Sequence, residues 1–238
     1  MTIDITSIVK IIQKGTESFP TGAIVVDDGD IVFKMIGDIN YVAPGVTLSY
    51  SDIPPILSEE LSPNGNKSLF FNNVVGYPYS EPPYPHLSVD VSSVFTENSA
   101  LEEYTFELYF KPSEQRTGKI LSTRSWTRGF ELGSWDANLG MESFSIYQHT
   151  SMSCVAYSAQ NWYHLVYQQK KVGIDYISTF AINGTVYLSS DPEFTPYGKL
   201  NPWGQFVDFG NPYHADFREP IRGYIADIGI YKTAKYSY

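Results

Sequence analysis

A single cysteine, Cys154, occurs in 238 residues. That excludes an internal disulfide framework and a multi-cysteine zinc site. Charge is scarce, at 18% of residues, and basic charge is scarcer. Lys plus Arg is 16 against 26 Asp plus Glu, a formal net of -10. A field of that sign repels nucleic acid and anionic membrane, so neither is an expected partner. No run approaches the ~18 apolar residues of a membrane span, so no membrane insertion is expected. The first residues lack a basic region, and Lys10 splits Ile8-Val9 from Ile11-Ile12. That is no signal peptide, and synthesis in a cytoplasm without the usual export route is expected. Helical periodicity is scarce as well. Ile3 to Lys14 is the best helical candidate, yet its β-branched residues suit an extended arm equally. His86, His149, His164 and His214 show no metal-ligand spacing. There is no Gly-x-Ser-x-Gly, phosphate loop or dinucleotide fingerprint.

Aromatic residues and turn formers are abundant. Phe, Trp and Tyr make up 16% of the chain, beside 18 Gly and 15 Pro. Disorder goes with few aromatics and many charges, so this chain folds, and its composition points to an all-β class. The length allows one large domain or two small ones.

Ala23–Val26 and Ile31–Ile36 are expected to pair as a hairpin through Asp28-Gly29, because Gly accepts the positive φ of a tight turn. Tyr41 to Leu48 adds a short strand. Ser51 to Gly65 holds Pro54-Pro55, Pro63 and Asn64-Gly65 and reads as a loop or linker. A boundary near residue 63 follows. Residues 1–62 are then an N-terminal attachment or oligomerisation segment, docked on the rest or on a neighbouring subunit, and 63–238 form the main domain. From Ser68 onward short strands alternate with turns: 68–72, 104–110, 119–123, 129–133, 144–147, 153–157, 162–167, 176–182, 186–188, 206–210 and 223–231. Phe106, Leu108 and Phe110 share one face, with Glu107 and Tyr109 on the other. Asn183-Gly184 makes a tight hairpin turn. Trp162 and His164 fall on one strand face, which is expected to be core, with Trp162 a packing anchor and His164 a structural histidine. The Pro- and Tyr-rich stretch 77–86 is expected to be a surface loop.

The ordered pieces Ser68-Leu-Phe-Phe, Tyr104-Thr-Phe-Glu-Leu-Tyr-Phe-Lys-Pro, Lys119-Ile-Leu-Ser, Gly129-Phe-Glu-Leu, Asn161-Trp-Tyr-His-Leu-Val, Ile182-Asn-Gly and Gly223–Tyr231 resemble the laminin-G-like, or concanavalin A-like, jelly-roll domains. The resemblance covers about 68 to 234. It implies an antiparallel jelly-roll β-sandwich, here preceded by a small N-terminal hairpin or arm.

Glucanases of this fold resemble one another in a strand carrying three alternating carboxylates, because only every second residue faces the sugar. No such strand occurs. Glu102-Glu103 and Glu59-Glu60 are adjacent pairs, and Glu107 stands alone on its strand. The chain is therefore expected not to be an enzyme, and no cofactor is expected. Cys154 reads as a buried small hydrophobe. The resemblance also raises calcium, for which Asp136 with Asn138, and Asp208 with Asn211 and Asp216, are candidate ligands on loops. The same residues are ordinary turn formers. Aromatics predicted on loops, Trp126, Trp135, Tyr197, Trp203 and Tyr213, with Tyr77, Tyr79 and Tyr84, are candidates for stacking on glycan, or for packing under their own loops or in a subunit interface.

The family usually works outside cells, whereas this chain shows neither export signal nor disulfide. A bacteriophage virion protein reconciles the two. The expectation is a non-enzymatic structural or binding module of a particle: capsid decoration, head fibre or tail-associated protein. It would be a homo-oligomer bound to other virion proteins and touching host-surface or environmental glycan. The alternatives are a carbohydrate-active enzyme or secreted lectin on the same fold, and a structural component without ligand.

Overall fold

A computed structural model describes residues 23–25, 29–51, 53–72, 85–94, 103–115, 118–123, 129–135, 138–144, 149–173, 175–189, 206–210 and 221–237. These form seventeen strands and, among the described residues, no helix. The strands are β1 (Ala23–Val25), β2 (Ile31–Ile36), β3 (Ile39–Val42), β4 (Thr47–Tyr50), β5 (Ile56–Leu61), β6 (Lys67–Asn72), β7 (Leu87–Asp90), β8 (Tyr104–Pro112) and β9 (Gly118–Ser122). They continue as β10 (Gly129–Trp135), β11 (Asn138–Phe144), β12 (His149–Ala156), β13 (Tyr163–Val172), β14 (Asp175–Ile182), β15 (Thr185–Ser189), β16 (Phe206–Phe209) and β17 (Arg222–Tyr231).

Two sheets face each other as a β-sandwich of jelly-roll type. The larger has ten strands in the order β1-β3-β2-β17-β8-β13-β14-β15, with β6 on β17 and β5 on β6. The smaller has seven, β12-β11-β10-β9-β16-β7-β4. Strand alternation supplies the core between them. Phe106, Leu108 and Phe110 of β8 point inward with Leu165 and Tyr167 of β13 and Ile225, Ile228 and Ile230 of β17. Phe130, Leu132, Val207 and Phe209 meet them from the smaller sheet. Phe130 lies edge-on to Phe106 at 5.1 Å and tilted against Tyr167 at 4.2 Å. Such pairs add roughly 0.5–1.5 kcal/mol beyond their buried area.

The turn at Asn183-Gly184 is as expected, with φ of 50° and 78°. The backbone there needs two consecutive positive φ values, which Asn and Gly tolerate best. Residues 23–61 supply β1 to β5, which lie in the same two sheets as the strands after residue 63.

Several local expectations are corrected. β1 and β2 do not pair. β3 lies between them, parallel to β1 and antiparallel to β2, so the hairpin is β2–β3 with its turn at Gly37-Asp38. The apolar run Ile24-Val25 takes a parallel partner, and turn chemistry at Asp28-Gly29 does not set that pairing. Ser51–Gly65 is not all loop, since β5 runs through it and pairs with β6. Of the strand expected at 144–147, Phe144 is the last residue of β11 and 145–147 lie outside the described residues. Leu87–Asp90 is a strand that pattern reading passes over. Trp162 precedes β13, and the core face of β13 begins at Tyr163 and Leu165. His164 therefore faces outward, because neighbouring residues on a strand point to opposite faces.

Candidate functional site

β17 organises the outer face of the larger sheet. Its pairing with β8 slips between Ala226 and Gly229, a β-bulge, and Asp227 there has φ of 50°. Asp enters the left-handed region more readily than most residues, because its short polar side chain can bond locally. On its other edge β17 pairs with β6 as far as Ile225 and with β2 from Gly229. The bulge therefore sits where two neighbouring strands fork apart.

The Asp227 carboxylate fills that fork. It accepts hydrogen bonds from Ser62 Oγ at 2.6 Å, Asn66 Nδ2 at 2.7 Å and Asn64 Nδ2 at 3.0 Å. These donors lie on the β5–β6 turn, which is closed by Ser62 N to Asn66 O at 2.8 Å and Gly65 N to Ser62 O at 2.9 Å. Asp227 thereby holds Asn64 and Asn66 against the rim of the sheet.

On the other side stand β8 and β13. The alternation that buries Phe106, Leu108 and Phe110 turns Glu107 and Tyr109 outward. Tyr109 and His164 are register partners, and their rings stack with centroids 4.6 Å apart at 19°. Opposite Tyr109 on β17 is Ala226. Tyr109 and Asp227 line the same cavity.

Glu107 accepts hydrogen bonds from Tyr231 Oη at 2.9 Å and from the Tyr236 hydroxyl, and His164 Nε2 stands 3.8 Å away. Burial works to raise its pKa. The neighbouring His164 and hydrogen bonds from Tyr236 and Tyr231 outweigh that and hold it below the ordinary glutamate value. The Tyr231 hydroxyl is pushed upward, by burial first and by the Glu107 charge second. Gly229 makes room for this ring, since a Cβ there would lie 2.4 Å from Tyr231 Cε2.

Residues 232–237 cross the same face as an irregular strap. Thr105 Oγ1 donates to Thr233 O at 2.7 Å and accepts from Lys235 N at 3.1 Å. Gln168 brackets Tyr236, donating to its carbonyl at 2.9 Å and accepting from its N–H at 3.1 Å. Lys235 Nζ lies 3.7 Å over the Tyr231 ring. The strap seats the Tyr236 ring 6.3 Å from His164.

Together these groups enclose an open-topped cavity of about 230 Å³, closed on its flank by Lys34 and Ile36 of β2. Its walls combine aromatic rings with carboxylate and amide oxygens. Carboxylates accept hydrogen bonds and donate none, and each Asn keeps an acceptor oxygen after donating to Asp227. The cavity is chemically suited to a small, hydroxyl-rich molecule with one apolar face.

None of the described residues singled out from sequence as ligands or stacking aromatics lines this cavity. Trp126, Tyr197, Trp203, Tyr213, Tyr77, Tyr79 and Tyr84 fall outside the described residues, as do Asp136, Asn211 and Asp216. Trp135 is the last residue of β10 and Asn138 the first of β11. Asp208, on β16, is buried and accepts a hydrogen bond from the Ser88 hydroxyl. Among the described residues no three His, Cys, Asp or Glu side chains converge as metal ligands. The pocket residues Glu107 and His164 were visible in sequence only as a lone carboxylate and a structural histidine. Their shared signal was the outward phase of two alternating strands.

No family model and no curated protein matches the chain. Solved structures do. The botulinum neurotoxin serotype D binding domain is 13% identical over 87% of this chain and 48% of its own, with a TM-score of 0.61. The receptor binding domain of the mosaic C/D neurotoxin gives 13% identity, 87% and 48% coverage, and a TM-score of 0.57. Domain 4 of AbnA, an extracellular arabinanase from Geobacillus stearothermophilus solved in complex with arabinotriose, is 14% identical over 79% of this chain and 82% of its own, with a TM-score of 0.56. The chain spans about half the length of the toxin binding domains it matches. At these identities the likeness defines the fold, and the chain is a β-sandwich of the jelly-roll class with a polar pocket on its larger sheet.

Proposed function

We propose that the chain is a non-enzymatic glycan-binding module, and that the cavity between Tyr109 and Asp227 is its sugar site. One observation carries the proposal: the Tyr109 ring, stacked on His164, lines a cavity together with the hydrogen-bond acceptors of Glu107, Asp227, Asn64 and Asn66. Apolar ring faces suit the C–H faces of sugars, and acceptors suit their hydroxyls. The fold is known to host saccharide, since the arabinanase domain was solved with arabinotriose. Glycoside hydrolysis by two carboxyls needs one of them held protonated as the general acid. Glu107 is held the opposite way, below the ordinary glutamate value, and Asp227 is engaged by three neutral donors. Both facts support binding without cleavage.

The module works on a bacteriophage particle, as a decoration, fibre or tail-associated protein in contact with other virion proteins and with copies of itself. The lone Cys154 supports this reading, because a domain that needs no disulfide assembles in a reducing cytoplasm. Glycan-array binding by the full chain tests the first part. Signal is expected for the wild type and lost in Tyr109→Ala with an unchanged melting temperature, and no new reducing ends appear on incubation with the bound glycan. Signal retained in Tyr109→Ala sinks the sugar site. Mass spectrometry of purified particles tests the second part, and absence of the chain from them overturns it.

A further inference from the structure

We infer that Lys34 is the specificity-determining residue of the pocket: its ammonium donates to a saccharide hydroxyl that in turn donates to Glu107 or Asp227, so the pocket takes neutral sugars and refuses both amino sugars and sugar acids. The inference rests on the glycan reading above. Its basis is the row of residues that crosses the larger sheet at Gly229. Lys34 on β2 and Glu107 on β8 are the two register partners of Gly229 on β17. Two strand spacings separate their backbones, about 10 Å. Both side chains point outward, because Phe33, Met35, Phe106 and Leu108 are wholly buried and neighbours on a strand alternate. Gly229 puts no side chain between them. The Tyr231 hydroxyl takes that place, 2.6 Å from where a Cβ on Gly229 would lie, and it donates to Glu107. Glu107 thus spends its lone pairs on hydroxyls, and among the described residues Lys34 forms no ion pair.

The hydrogen-bonding capacity left over decides what fits. The Lys34 ammonium offers three donors and no acceptor. A carboxylate offers about four lone-pair sites. Asp227 has given three to Ser62, Asn64 and Asn66, and Glu107 has given two to tyrosine hydroxyls. Unspent donors and unspent acceptors therefore line one cavity of about 230 Å³. A hydroxyl matches both, since it accepts from an ammonium and donates to a carboxylate. A ligand amine suits the carboxylates but meets Lys34 with like charge. A ligand carboxylate suits Lys34 but meets Glu107 and Asp227 with like charge. A lining of mixed sign selects against both.

Ligand-observed NMR titration of the full chain tests this with arabinose, glucose, galactose and mannose, and with the 2-amino, 6-amino and uronic acid forms of the three hexoses. At least one hexose is expected to bind, and its charged forms at least tenfold more weakly. Lys34→Met should weaken the neutral hexose roughly tenfold, as loss of a hydrogen bond to a charged group does. The same variant should bind an amino form more tightly than the neutral hexose, because the two carboxylates are then unopposed. Lys34→Arg should keep the wild-type order, and an unchanged melting temperature in Lys34→Met separates these effects from unfolding. A neutral-to-amino ratio unmoved by Lys34→Met, or an amino sugar or uronic acid bound by the wild type as well as the neutral hexose, overturns the Lys34 inference. Binding that still falls in Tyr109→Ala in those cases leaves the glycan reading standing. No binding of any of these sugars or of any array glycan, or binding indifferent to Tyr109→Ala, overturns both.

Discussion

The outer faces of the two sheets both carry carboxylates, and they treat them in opposite ways. On the larger sheet, Glu107 and Asp227 border a cavity and are surrounded by neutral hydroxyl and amide donors. On the smaller sheet, a polar row runs across the strands through Ser88, Asp208, Ser122 and Glu131, which register side by side from β7 to β10. That row is buried, Glu131 completely so. Lys119 Nζ stands 3.1 Å from Glu131 Oε2 as an ion pair, without the alignment of a hydrogen bond, and Ser122 donates to Oε1 at 3.1 Å. A charge neutralised by a buried countercharge is a structural element. A charge satisfied by neutral donors beside a cavity keeps lone pairs for a ligand. Under the proposed function, binding belongs to the larger sheet and stability to the smaller.

The largest test of that contrast is Lys119→Met. It leaves Glu131 charged, buried and unpaired, and breaking a buried pair from one side costs about 3–5 kcal/mol. Urea unfolding is expected to show a loss of that size, with glycan binding at the larger sheet unchanged in the fraction that remains folded. A loss below about 1 kcal/mol would put this pair in the class of solvated surface bridges and erase the difference between the two faces.

Gly229→Ala probes the other face. The new methyl meets the Tyr231 ring at van der Waals overlap, so the ring must shift and its hydrogen bond to Glu107 at 2.9 Å is lost. Overpacking of this kind costs about 1–3 kcal/mol. Unlike Lys119→Met, it should also weaken saccharide binding, because Tyr231 helps hold Glu107, which lines the pocket. Unchanged binding with a lowered denaturation midpoint would mean that the Tyr231–Glu107 hydrogen bond does not shape the site.

How much of this was written in the sequence differs by level. Strands of the core were legible wherever alternation was strong, as in Tyr104–Phe110 and Gly223–Tyr231, because the buried face there is unbroken. β5 was hidden because it packs at the margin of the larger sheet, with Ile56 and Leu61 exposed, so burial imposes no pattern on Ile56-Leu-Ser-Glu-Glu-Leu. β7 was hidden by its length, four residues beside Pro85 and His86. The partner of β1 was hidden because parallel pairing is settled by distant strands and not by the nearest turn. The pocket was hidden for a related reason. Asn64 and Asp227 are 163 residues apart and Glu107 and Tyr236 are 129 apart. No spacing motif survives such distances. What the sequence did carry was the phase of β8, which put Glu107 and Tyr109 together on the face opposite the core.

The smallest expected effect is the dependence of stability on pH through Glu107. Its pKa in the folded chain is below the ordinary value of 4.5, so the folded state favours the charged form. The resulting stabilisation is complete above the ordinary value and disappears as pH falls through the folded one. Acid titration of the melting temperature should therefore decline below about pH 4.5. In Glu107→Gln that part of the decline should be absent, because the amide does not titrate. Tyr236→Phe should show an intermediate curve, since one of the hydroxyls that lowers the pKa is gone. Lys119→Met should leave the Glu107 component as it is, because that pair lies on the other sheet. Identical acid limbs in wild type and Glu107→Gln would show that Glu107 gains nothing from its donors on folding.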